Sequence, residues 1–217
     1  GKFFTYAAPH FAEFFRFRAR DPWKVRIVIL KNRFCRQSQA KAELGEANNL
    51  TKIQNKLLDK IGNVIDGIIE YRNDSFYTKK KNGERIEFPL EAEGFRKFGL
   101  LWKLLKNGLF EKGSILFWDE PEANINPELM SVLVDVLLEL ARNNVQIFIA
   151  THSEILANFF SVNMKKNDKV MFYSLFKDKG QIDFDSNDRF DLLNPNKLTE
   201  VPVRIYEKRL DKVFGDE

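Results

Sequence analysis

The sequence predicts an α/β fold, a mainly parallel sheet flanked by helices, and three observations predict it. First, Ser114 to Trp118 form a short apolar run ending in Asp119-Glu120. That pattern suits a strand buried on both faces that delivers two carboxylates at its C-terminal edge. Second, Asn126 is a good helix N-cap and Pro127 a good first helical residue, and Leu129, Leu133, Val136, Leu137 and Leu140 follow at helical spacing. Third, Asn143-Asn144 turn the chain into another apolar run, Val145 to Ala150, which ends in Thr151-His152-Ser153. The three together read as one strand–helix–strand crossover of a parallel sheet. Such a crossover brings Asp119, Glu120 and His152 to the edge where ligands of open α/β sheets bind.

Composition bounds the remainder. At 217 residues and 44% hydrophobic content, the chain can bury one good-sized core, with room for an appendage. A single cysteine, Cys35, excludes a disulfide framework and fits a reducing, cytoplasmic setting. The apolar runs are too short to span a bilayer, so no membrane partner is expected. The first forty residues set nine cations, among them Arg16, Arg18 and Arg20, against only Glu13 and Asp21. That local surplus exceeds the formal net charge of +4 for the whole chain, so the rest is net acidic.

Taken in order, residues 1–48 form a basic, aromatic-rich segment. Phe11, Phe14, Phe15 and Arg18 would share one face of a short helix, and Val25 to Leu30 reads as a strand. Cations interleaved with rings suit nucleic acid; the plainer reading is aromatics in the core with a solvated basic rim, because clustered aromatics usually bury. From Asn49 an apolar stripe of Leu50, Ile53, Leu57, Ile61, Ile65 and Ile68 predicts an amphipathic helix used for packing. Ile69 to Arg72, Ser75 to Lys79 and Arg85 to Phe88 read as short strands, with Asn82-Gly83 turning the last two into a hairpin. Gly94 then opens a helix whose apolar face is Phe95, Phe98, Leu101, Trp102 and Leu105. Its exposed amides could face an anion, with Arg96 or Lys97 nearby; an ordinary helix start is the plain alternative. Beyond His152, a helix from Glu154 to Phe160, a hairpin of Val170 to Leu175 with Gln181 to Phe184 around Lys179-Gly180, and a helix from Val203 complete the reading. Asp183, Asp185, Asp188 and Asp191 are spaced as a solvated loop.

Four stretches in fixed order resemble a known family. AEGFRK (Ala92 to Lys97) is similar to a signature motif, ILFWDEPE to a Walker B strand, EANINP to a D-loop and ATHS to a switch strand with its histidine. The resemblance is to ABC-type AAA ATP-binding proteins of the SMC, RecF and OLD group, and it runs from about Ile53 to Asn196. It implies that residues 49–217 are the C-terminal lobe of a P-loop NTPase domain of ABC type, with a small hairpin before the signature helix.

The resemblance also implies roles. Asp119 would hold Mg²⁺, usually through water, and Glu120 would orient or deprotonate the attacking water. His152 would contact the γ-phosphate of ATP, and Glu122 would be a structural partner for a nearby cation or amide. Ala92, Glu93, Gly94 and Arg96 would cap the nucleotide of an opposite subunit, while Asn124 and Asn126 would cross a dimer interface as the D-loop. Ala92 stands where most ABC signatures carry serine, which removes a hydroxyl contact to that phosphate. The Walker A pattern G-x-x-x-x-G-K-[ST] occurs nowhere in the chain, so the backbone cradle and lysine of a P-loop are not supplied by it. The expectation is therefore the C-terminal half of an ATPase that converts ATP and water to ADP and phosphate, inactive alone. Its partner would be a second copy or the half carrying Walker A. A non-catalytic interaction module, or a half-domain that binds nucleic acid, is the alternative.

Overall fold

Alternation of apolar strands with amphipathic helices builds two sheets on one continuous core. The computed structural model describes residues 45–214, together with two backbone strands, β1 (Phe3–Thr5) and β2 (Ile27–Leu30). The expected helix through Phe11, Phe14 and Phe15, and the basic residues Arg16, Arg18 and Arg20, lie outside the described residues.

Helix α1 (Lys52–Ile65) begins at a capping box: Gln54 N–H donates to Thr51 Oγ1 at 3.2 Å and Thr51 N–H to Gln54 Oε1 at 2.8 Å. Leu57, Leu58, Ile61 and Ile65 are its buried face. The predicted stripe ran on to Ile68, but the helix stops at Ile65. Asp66 takes the left-handed conformation (φ 52°), and Gly67 and Ile68 start a strand instead. That strand, β3 (Gly67–Arg72), pairs antiparallel with β4 (Ser75–Lys80), which pairs with β5 (Arg85–Glu87). The expected hairpin is thus one edge of a three-stranded sheet. Its other turn is Asn73-Asp74, both at positive φ as a two-residue hairpin turn requires.

Helix α2 (Glu93–Lys106) packs Phe98, Leu101 and Leu105 between α1 and this sheet. The crossover follows as read: β6 (Ile115–Asp119), α3 (Pro127–Arg142) and β7 (Gln146–Ala150). Asn126 Oδ1 accepts from Glu128 N–H at 3.1 Å and Pro127 is the first helical residue. Leu116 and Trp118 of β6 are buried, while Ile115 and Phe117 are half-buried, Phe117 stacking on Phe148 at 4.7 Å. Then come α4 (Glu154–Asn163), β8 (Val170–Asp178), β9 (Gln181–Asn187) and α5 (Lys197–Phe214). β8 and β9 form the predicted antiparallel hairpin, longer than the apolar runs suggested.

The main sheet runs β2-β6-β7-β1-β8-β9, parallel throughout except for β9. Two strands from the first 48 residues therefore belong to it. Leu133, Leu137 and Leu140 of α3 belong to one apolar cluster that also takes in residues of both sheets. By contrast residues 201–214 of α5 are exposed throughout, apolar side chains included, and the helix starts six positions before the predicted Val203. Among the described residues no helix is long and apolar enough to cross a membrane.

Candidate functional site

The site begins where two neighbouring buried strands run out of apolar residues. Asp119 ends β6 opposite Ala150, the last residue of β7. Glu120 follows with its N–H donating to the Ala150 carbonyl at 2.8 Å. This bond carries the pairing one residue past the strand, and there the chain turns sharply. Glu120 adopts φ 45°, in the left-handed region that side chains other than glycine rarely occupy. The turn projects its carboxylate toward β7, and His152 Nδ1 meets Glu120 Oε1 at 2.9 Å. Asp119 and His152 are exposed and Glu120 is half-buried. The three residues that the crossover was expected to gather thus stand at one edge.

Below them the loop from Glu120 to Asn126 is fastened to the rest of the molecule. Glu122 is buried and accepts the Thr151 hydroxyl proton at Oε1; Thr151 Oγ1 in turn accepts from Ser153 N–H at 2.9 Å. The loop after β6 and the loop after β7 are therefore joined by a buried carboxyl. The partner of Glu122 Oε1 is thus a hydroxyl, where the sequence leads one to expect a cation or amide. Burial pushes its carboxyl above the ordinary range, with the Thr151 hydrogen bond opposing.

Of the two cations that the sequence offers beside a bound anion, Arg96 or Lys97, Lys97 is 9% exposed and turned inward. Its Nζ donates to the carbonyls of Glu120 (3.1 Å), Pro121 (3.3 Å) and Ala123 (2.6 Å). Burial pulls its ammonium below the ordinary lysine range, and Glu93, Glu122, Glu120 and Asp119 oppose that shift. One signal could have found it: Lys97 lies between Gly94 and Leu101 on the buried stripe of α2, where a cation needs partners.

The signature stretch meets the same loop. Ala92 is the N-cap of α2 and provides no side-chain cap. Glu93 Oε2 accepts from Asn124 Nδ2 at 2.6 Å. A Cβ at Gly94 would lie 2.9 Å from the Asn124 carbonyl oxygen, so the close approach at this glycine is made by the protein's own backbone. Arg96 is half-buried, and its Nε has no hydrogen-bond partner among the described residues. Asn124, at φ 60°, and Asn126 are exposed, the second engaged as the cap of α3.

Chemically the edge offers an exposed acid beside a carboxylate–imidazole pair. No group of three or more protein ligands converges on a metal position among the described residues. One exposed carboxylate, Asp119, suits Mg²⁺, which keeps several waters and takes its remaining ligands from phosphates.

Residues 3–158 match the family described as "AAA domain, putative AbiEii toxin, Type IV TA system". No curated protein matches the chain. Among solved structures, it is similar to the Smc head domain with an extended coiled coil from Pyrococcus furiosus, bound to the C-terminal domain of ScpA. The identity there is 12%, over 72% of this chain and 37% of that one, with a TM-score of 0.46. It is also similar to the SMC head domain from Thermotoga maritima, at 15% identity over 72% of this chain and 52% of that one, TM-score 0.45. An ATP-binding cassette of an ABC transporter in its ADP conformation gives 16% identity, 82% and 68% coverage, and a TM-score of 0.44. The chain thus spans about a third to a half of the two SMC heads.

Proposed function

Since the chain belongs to that AAA-domain family, we propose that it is the part of an ABC-type ATPase that supplies the acid for Mg²⁺, the acid for water and the phosphate-sensing histidine. The observation that carries this reading is the Glu120–His152 pair, 2.9 Å apart at the sheet edge beside Asp119. ATP is the substrate. Asp119 would hold Mg²⁺ through water, and the ion's chemistry is to neutralise charge developing on the transferred phosphoryl group. Glu120 orients the attacking water and takes its proton. His152, bonded through Nδ1 to Glu120, fixes the carboxylate's direction and keeps its other nitrogen for the terminal phosphate. The N-terminal turn of α2, with Glu93, Gly94 and Arg96, and the D-loop asparagines Asn124 and Asn126 would serve the site of a second subunit in a cytoplasmic dimer.

The sequence holds no G-x-x-x-x-G-K-[ST], so the phosphate cradle must come from another polypeptide segment. Calorimetry of the isolated chain with Mg-ATP should therefore detect only weak binding, and micromolar affinity would overturn this incompleteness. Turnover is expected once a segment carrying the cradle is supplied. In that assembly Glu120→Gln should retain nucleotide and lose about 10²- to 10⁴-fold in kcat. An unchanged kcat would remove Glu120 from the reaction.

A further inference from the structure

We infer that Lys97 is a positioning residue for Glu120, holding its carboxylate on His152 through the backbone carbonyls of the following loop and tying it to the first turns of α2. The inference rests on the reading of Glu120 as the acid that orients water. Glu120 sits at φ 45°, a conformation that an L-residue keeps only when its surroundings over-determine it. Its N–H is bonded to Ala150, its side chain meets His152, and its carbonyl accepts both from the Lys97 ammonium at 3.1 Å and from Ala123 N–H at 3.2 Å. The same ammonium reaches Pro121 and Ala123, so its three donors can be matched by three acceptors spread across a single turn. No apolar side chain can do this, and a planar guanidinium cannot aim three donors at acceptors converging from different directions.

The other end of the link is also rigid. Four residues before Lys97, Glu93 grips Asn124, and Gly94 packs against the Asn124 carbonyl. The first turns of α2 and the loop from Glu120 to Asn124 are thus joined at two points and shift together. A displacement of α2 by whatever binds at its N-terminal turn is delivered to Glu120. A lysine kept merely for solubility would point outward; this one bears the cost of burial to make the join.

The test reads the Glu120–His152 pair in the chain without nucleotide, so it stands or falls separately from ATP turnover. In mildly alkaline solution, where imidazole is ordinarily neutral, the ring nitrogens of His152 are followed by NMR. The wild-type chain should show the Nδ1-protonated form, because Nδ1 faces a carboxylate. Lys97→Met should lose that signal, while reporters remote from the loop, such as the Arg142 side chain, stay unchanged. Lys97→Arg should retain only part of it. Retention of the full signal in Lys97→Met overturns the proposal. Should Lys97→Met fail to fold, Lys97→Arg carries the test: a reduced signal supports positioning, and an undiminished one overturns it.

Discussion

Gly94→Ala isolates the join between α2 and the loop that carries the acids. The new methyl would stand 2.9 Å from the Asn124 carbonyl oxygen and 3.3 Å from Ile125 Cα. Both are backbone atoms, so relief requires the loop or the helix to move rather than a side chain to swing. Overpacking of this kind costs about 1–3 kcal/mol. Replacing glycine inside a helix returns at most about 1 kcal/mol, less here because Gly94 is the second helical residue. The net is a loss of about 1 kcal/mol, or roughly a fivefold change in the folding equilibrium. Gly45→Ala is the control, since among the described residues no atom lies within 4 Å of its Cβ and its φ is ordinary; it should be neutral. Urea unfolding followed by tryptophan fluorescence measures both, with the slope expected to be unchanged. If Gly94→Ala were as stable as the wild type, the packing account of this glycine would be refuted.

Two carboxyls should give stability profiles of opposite slope. Arg142 Nε and Nη2 donate to Asp168 at 2.9 and 2.5 Å, holding its carboxyl below the ordinary value of 3.8. A depressed folded value means that this contribution is fully present above the ordinary Asp range and is lost as pH falls through the folded value. Asp168→Asn should cost about 1–2 kcal/mol near neutrality, and the difference from wild type in chemical unfolding should vanish in strong acid; a constant difference would exclude the ion pair as its source. Glu122 runs the other way, burial raising it above 4.5. The chain should therefore lose stability as pH climbs from the unfolded value through the folded one. Glu122→Gln, which still accepts from Thr151, should remove that slope in the same titration, and persistence of the slope would assign it elsewhere.

Much of the site was legible because it is local. Asn126-Pro127, the leucines of α3 and the two apolar runs that flank it fix a crossover, and a parallel crossover leaves no freedom about which edge receives Asp119, Glu120 and His152. What was not legible depends on partners distant in sequence. The place of Lys97 on the apolar stripe of α2 signals that it needs partners, but not that these are the carbonyls of Glu120, Pro121 and Ala123. Thr151 looks like an ordinary strand end until Glu122 lies beneath it. The end of α1 was overrun for a different reason. Ile68 continues the helical stripe, and only the left-handed Asp66 shows that the chain has already turned into a sheet. The three-stranded sheet was under-read because Asn73-Asp74 is a weaker turn signal than Asn82-Gly83, although the structure turns as tightly there.

The place of β1 in the main sheet bears on how the molecule is made. Phe3 lies beside Ile147 on one flank and Val170 on the other, so β1 gains its first sheet neighbour only once β7 has been made. Loop closure over such a span is slow compared with helix formation or the closing of the β3–β4 hairpin. On a ribosome, β2 and β6 are made before β7, and the flank of β7 away from β6 would stay open until β1 swings in. During that interval the bare strand is a template for other chains, and protein concentration and chaperone supply should govern the yield of native molecules more than the strength of the finished core does.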